Sequence, residues 1–101
     1  MLNFLDSLPG EDGFIYREYS PGGTSGSRYV RKYFSDDNAR KIDAIRDRIA
    51  VWSREDLVTE AEGALLIYDL MKATNRVANI AGTYGFFLKQ WDPRAKKPLS
   101  L

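Results

Sequence analysis

Apolar and polar positions follow three different rhythms along this chain, and each predicts a different element. After Ser35, Ile42, Ile45, Ile49 and Trp52 recur at three- and four-residue spacing, which puts them on one face of a helix. Ser35 is its predicted N-cap. Asp36 and Asp37 stand in the first turn, where carboxylates favour the positive end of the helix dipole. The other face carries Lys41, Asp43, Asp47, Arg48 and Arg54, a mixed-charge surface expected to meet water.

A second helix is predicted to begin at "TEAE", with Thr59 as N-cap and Glu62 three residues on completing a capping box. It is expected to run to about Ile80, before Gly82 stops it. Leu65, Leu66, Tyr68, Leu70, Met71, Val77 and Ala78 make it apolar over much of its circumference, so it is predicted to be the central, most buried helix. Ile45, Ile49 and Trp52 are expected to pack on Leu66, Leu70 and Met71.

The first 34 residues have no helical rhythm. They are broken by "PGEDG" and "SPGGTSGS", and the run between the breaks, "FIYREY", is short, aromatic and apolar, which predicts a strand. The expected fold is therefore mainly α. It has two principal helices over residues 35–101, ending in a basic tail, and an irregular, turn-rich, partly β amino-terminal arm over residues 1–34. No internal repeat is visible, and 101 residues suit one small domain with a thin stability margin.

Composition narrows the chemistry. A hydrophobic share of 44% suffices for a modest core. Without cysteine or histidine there is no disulfide, no thiolate nucleophile, no imidazole base and no usual zinc ligand set. No apolar run has the length of a membrane span, and the acidic start "MLNFLDSLPGEDG" is unlike a signal peptide, so a cytoplasmic, prokaryotic-type protein is expected.

The net charge of +1 hides an uneven distribution. From Tyr16 to Phe34, Arg17, Arg28, Arg31 and Lys32 face only Glu18; from Lys89 to Lys97, Lys89, Arg94, Lys96 and Lys97 face only Asp92. Both stretches are interleaved with aromatic residues, including Tyr33, Tyr84, Phe86, Phe87 and Trp91. Lys and Arg neutralise phosphates, while Tyr and Phe can stack on bases. The competing reading makes Tyr29, Tyr33, Phe34 and Phe87 the cap of a small core and the charges merely solubilising.

Other motifs are weaker. There is no GxGxxG, GxxxxGK or GxSxG, and "PGGTSG" lacks the lysine of a phosphate loop, so a mobile turn is its expected role. Asp36–Asp37 and Glu55–Asp56 read as helix-boundary residues rather than acid–base pairs. Asn75 and Asn79, four apart on one predicted helical face, are expected to cap neighbouring backbone rather than to hold a ligand.

Taken in order, "LPGEDGFIYREYSPGG", "RYVRKYFSDDNARKIDAIRDRIAVW", "LLIYDLMKATNRVANIAGTYGFFLKQW" and "RAKKPLSL" resemble the middle of adenine-specific DNA methyltransferases of type II restriction–modification systems. The resemblance spans nearly the whole chain. It implies a target-recognition region, the part that grips DNA around an adenine flipped out for methylation by S-adenosylmethionine. Such an enzyme carries a Phe-containing GxG cofactor motif upstream and a catalytic Asp-Pro-Pro-Tyr downstream; neither is in this sequence, and Asp92-Pro93-Arg94 is not that tetrapeptide. No catalytic, cofactor-binding or metal-binding residue is therefore assigned, and the chain by itself is expected to be inactive, as a fragment of a larger enzyme or a subunit of a split one. The residues expected to contact double-stranded DNA are Arg17, Arg28, Arg31, Lys32, Tyr33, Tyr84, Lys89, Arg94 and Lys96. Two alternatives remain: an interaction module that completes the catalytic part of a split methyltransferase, and a freestanding DNA-binding regulator.

Overall fold

The computed structural model describes residues 2–26, 30–81, 86–87, 91 and 93–101, with the backbone alone for Leu2, Asn3, Ile80, Ala81, Phe86 and Phe87. Four helices follow one another: α1 (Leu2–Asp6), α2 (Phe14–Tyr19), α3 (Asp36–Arg54) and α4 (Glu60–Val77). Two short strands, β1 (Ile80–Ala81) and β2 (Phe86–Phe87), pair antiparallel with Ile80 opposite Phe87, and a 3-10 turn covers Pro93–Lys96.

The two long helices start where local chemistry says they should. The Ser35 hydroxyl accepts the Asn38 backbone N–H at 3.2 Å. The predicted capping box also forms: Thr59 Oγ1 accepts the Glu62 N–H at 3.0 Å, and Glu62 Oε1 accepts the Thr59 N–H at 2.8 Å. Helix α3 ends in a Schellman arrangement, with the Leu57 N–H on Trp52 O at 2.9 Å and the Asp56 N–H on Ser53 O at 3.4 Å. This turn requires a left-handed residue, and Asp56 supplies it with φ 54°.

Leu5, Ile42, Ile45, Ile49, Val58, Leu66, Leu70, Ala73, Val77 and Leu99 form the core, with Trp52 packed against its edge. The expected meeting of Ile45, Ile49 and Trp52 with Leu66 and Leu70 is present. Met71 is not in it: it is exposed, as are Leu65 and Tyr68. Helix α4 buries one stripe only, and the central helix is α3, on which α1, α2 and α4 all pack. Apolar circumference is no guarantee of burial when neighbours cover a single side.

The partly β amino-terminal arm is corrected. The run "FIYREY" is helix α2, and no strand occurs in the described part of residues 1–34. Its N-cap position, Gly13, provides no side chain, and the cap comes from α3 instead. Asp43 accepts backbone N–H groups from Gly13 at 3.1 Å, Ile15 at 2.9 Å and Tyr16 at 2.8 Å. Asp43 is thus buried, not part of the solvated face to which its spacing assigned it. The contact is close: a Cβ at Gly13 would stand 2.6 Å from Asp43 Cγ.

Helix α4 also stops earlier than expected, at Val77 rather than near Ile80. Ala78 is extended, and the Asn79 N–H bonds to Tyr33 O at 2.7 Å instead of continuing the helix. Asn75 and Asn79 consequently do not share a helical face.

Candidate nucleic-acid interface

Asn79 anchors the end of the first basic–aromatic segment. Fully buried, it donates from Nδ2 to Lys32 O at 2.9 Å and from its backbone N–H to Tyr33 O at 2.7 Å. The end of "RYVRKYF" is thereby held against the residue just before strand β1, although 47 positions separate Lys32 from Asn79. The amide caps neighbouring backbone, as its type suggested, and in doing so fastens the first basic run beside the end of α4.

Around this joint the predicted residues fall into groups. Tyr33 is half-buried, its ring edge-on to Tyr19 with centroids 5.5 Å apart. Lys32 is half-buried and Arg17 exposed. Arg31 is exposed, but its guanidinium leans back on α2, with Nη1 donating to Glu18 O at 3.1 Å and lying 3.7 Å from the Glu18 carboxylate. Its backbone N–H donates to Thr24 Oγ1 at 2.8 Å. Arg28, Tyr84 and Lys89 lie outside the described residues, as do the side chains of Phe86 and Phe87.

Arg94 and Lys96 are exposed on the 3-10 turn, which packs on α4. Arg94 lines a recess of ≈ 450 Å³ with Arg76, Lys97 and the apolar Ala73, Val77 and Pro98. Three cations around one depression favour an anion there by long-range attraction. Arg76 is held in place by donating to Ser100 O at 2.8 Å.

Asn38 positions this carboxy-terminal segment. Buried at the start of α3, it donates from Nδ2 to Ala95 O at 3.2 Å and Lys97 O at 2.8 Å, and its Oδ1 accepts the Leu99 N–H at 2.8 Å. Sequence reasoning did not single out Asn38 and placed Asp43 on the solvated face. For Asn38 the one available signal was a small polar residue on the apolar side of a helix, where an unpaired group would be costly.

The glycine-rich turn is built inward. Ser20 is fully buried; its hydroxyl donates to Tyr16 O at 2.6 Å and accepts the Gly23 N–H at 3.3 Å. The Gly22 N–H goes to Asp36 Oδ1 at 2.8 Å, and the Thr24 N–H to Ser20 O at 3.1 Å. A Cβ at Gly23 would come within 1.9 Å of Tyr16 O, so this glycine is required by close approach. With all three amides engaged, the turn does not fit as a cradle for a phosphate or a nucleotide-like cofactor.

Among the described residues, no group of three or more acidic side chains is placed to hold a metal, and no helix is long and apolar enough to cross a membrane.

Comparison with known proteins finds methyltransferases. The chain is 43% identical over 101 residues to the "Type II methyltransferase M.NlaIII" of Neisseria lactamica, covering 100% of this chain and 29% of that protein. It is 37% identical over 103 residues to the "Modification methylase StsI" of Streptococcus sanguinis, covering 99% of this chain and 15% of that one. With the "Type II methyltransferase M.FokI" of Planomicrobium okeanokoites it shares 45% identity over 91 residues, 87% of this chain and 13% of the relative. The chain therefore spans less than a third of the curated relatives it matches. No family model matches it, and no solved structure does. Along its whole length, this chain is homologous to one segment of type II restriction–modification methyltransferases.

Proposed function

We propose that the chain is the DNA-gripping, target-recognition segment of an adenine-specific, S-adenosylmethionine-dependent DNA methyltransferase. The observation that carries this reading is a pair of buried amides, Asn79 and Asn38, which fasten Lys32 and Tyr33 beside the end of α4 and the Ala95–Lys97 stretch against the start of α3, so that cations of both basic runs stand at one end of the helical core. The methyltransferase relatives supply the enzymatic context. In this reading Lys32, Arg94 and Lys96, with Arg17 and Arg31, contact phosphates and set affinity, while Tyr33 and Tyr84 offer rings near the bases. Arg28 and Lys89 extend the two basic runs. The methyl donor and the catalytic groups are held elsewhere in the enzyme, and the partner of this segment is double-stranded DNA.

The test is a duplex titration at several salt concentrations. Each lost phosphate contact reduces the slope of log affinity against log salt by about 0.9, so replacing Arg31 and Lys32 together with Ala should flatten it by about one to two units. The lower figure applies if Glu18 already holds Arg31. Arg54→Ala, beside Glu55 and Asp56, should leave affinity and slope unchanged. Equal affinity and slope in parent, double variant and control would reject DNA recognition by this segment.

A further inference from the structure

The two long helices share a core but differ in what they turn outward. Helix α3 presents charged residues, including Asp37, Asp47, Arg48 and Arg54. Helix α4 presents Leu65, Tyr68 and Met71, 64%, 58% and 59% exposed, with Ala61 and Ala64 exposed on the same side. At 100° per residue this strip lies directly opposite the buried stripe of Leu66, Leu70, Ala73 and Val77. The one cation on the strip is Lys72, whose ammonium lies 5.4 Å from the centroid of the Tyr68 ring.

Beside the strip is a recess of ≈ 330 Å³ between α2, α3 and α4, floored by Ile15, Ile42 and Leu70 and edged by Met71 and Ile67. An apolar strip continuous with an aliphatic recess is the anatomy of a protein interface, in which a partner side chain seats in a pocket at the centre of a larger patch. It is a poor surface for nucleic acid, since phosphates need cations and only Lys72 on the strip and Arg46 at the recess supply them.

We infer that the outer face of α4, centred on Leu65, Tyr68 and Met71, is the surface on which the catalytic body of a type II methyltransferase docks, whether carried on the same polypeptide or a separate one. This rests on the methyltransferase reading above. The occupant is indicated by the comparisons: the Neisseria lactamica relative matches this chain from end to end, yet the match spans only 29% of the relative. A segment so placed has a much larger body beside it. The basic–aromatic end is assigned to DNA, which leaves the largely apolar back of α4 for that body. Lys72 and Arg46, at the borders of the strip and recess, call for carboxylates at the rim of the docking surface.

The test uses the Neisseria lactamica methyltransferase with this chain in place of its matching segment, alongside the isolated chain. Hydroxyl radicals should oxidise Met71 at least about tenfold more slowly in the chimera than in the isolated chain, because thioether oxidation follows exposure. The double variant Leu65→Glu, Met71→Glu should leave the melting temperature of the isolated chain unchanged and lower that of the chimera by several degrees. The control Arg54→Ala, on the exposed face of α3, should lower neither. Equal oxidation of Met71 in both proteins would overturn the proposal. So would an isolated chain that elutes as a dimer and becomes monomeric in the double variant, because a second copy would then own the face. Methyl transfer by the unmodified chimera is read separately: protection of Met71 without methylation rejects the recognition reading and leaves the docking surface standing.

Discussion

The Asp43 carboxylate, on the central helix, accepts the backbone N–H of Tyr16 at 2.8 Å and with it the open end of helix α2. Gly13 and Ile15 donate to the same carboxylate, so the N-cap amide and two amides of a six-residue helix depend on a side chain some thirty positions away. So short a helix is not stable by itself in water. Asp43→Ala should therefore leave buried donors without acceptors and cost about 2–4 kcal/mol in denaturant unfolding. Asp43→Asn, which keeps one acceptor oxygen, should cost less. A loss below about 0.5 kcal/mol for the alanine variant, within the range of ordinary surface changes, would remove Asp43 from this role.

A gain in stability is expected at Asp56. Its φ of 54° is imposed by the turn between α3 and α4, where glycine carries no Cβ penalty. Asp56→Gly should raise stability by about 0.5–1 kcal/mol, less than the full left-handed penalty because aspartate tolerates this region better than most residues. Asp56→Val should destabilise, since a β-branched residue at positive φ is strained. Urea titrations of the two variants should move in opposite directions.

These two sites show which parts of the fold could be read from sequence. Ser35 and Thr59 cap amides within three positions of themselves, so a local pattern announces them. Asp43, Asn38 and Asn79 cap backbone 27 to 61 positions away, and no periodicity reveals such a partner. That is why "FIYREY" read as a strand: its helix is secured by a residue outside it. The outer face of α4 was misread for a related reason. Apolar character predicted burial, but Leu65, Tyr68 and Met71 have no covering element among the described residues. The clustering of Arg94 with Arg76 and Lys97 depends on the Asn38 anchor, and Arg76 was not among the expected DNA contacts.

The contrast between the two faces gives a paired prediction. Ile49 is 3% exposed and Met71 59%. Truncating a buried isoleucine removes transfer free energy and leaves a cavity, so Ile49→Ala should cost about 2–5 kcal/mol. In a chain of this size that is a large part of the total. Met71→Ala in the isolated chain should change stability by less than about 0.5 kcal/mol, as surface changes do. Equal effects at the two positions would mean that the helix register is wrong.

The last expectation concerns pH. Glu11 faces Asp47 across the edge of α3, and its Oε1 is buried without a hydrogen-bond partner among the described residues. Its carboxyl is pushed from an ordinary 4.5 up to about 7, first by a hydrogen bond shared with Asp47, then by burial, then by the negative charges of Asp47 and Asp43; Arg48 opposes this. The folded state therefore holds a proton that the unfolded chain releases at lower pH. Its contribution to stability is fully present below about pH 4.5 and is lost as pH rises through about 7. Unfolding free energy should fall across that window. Glu11→Gln keeps a donor toward Asp47 without an ionisable proton, so it should flatten the fall and be more stable than the parent at about pH 8. Denaturant titrations of both proteins at several pH values measure this directly. Parallel curves for parent and variant between pH 4.5 and 7 would mean that the Glu11–Asp47 pair holds no shared proton.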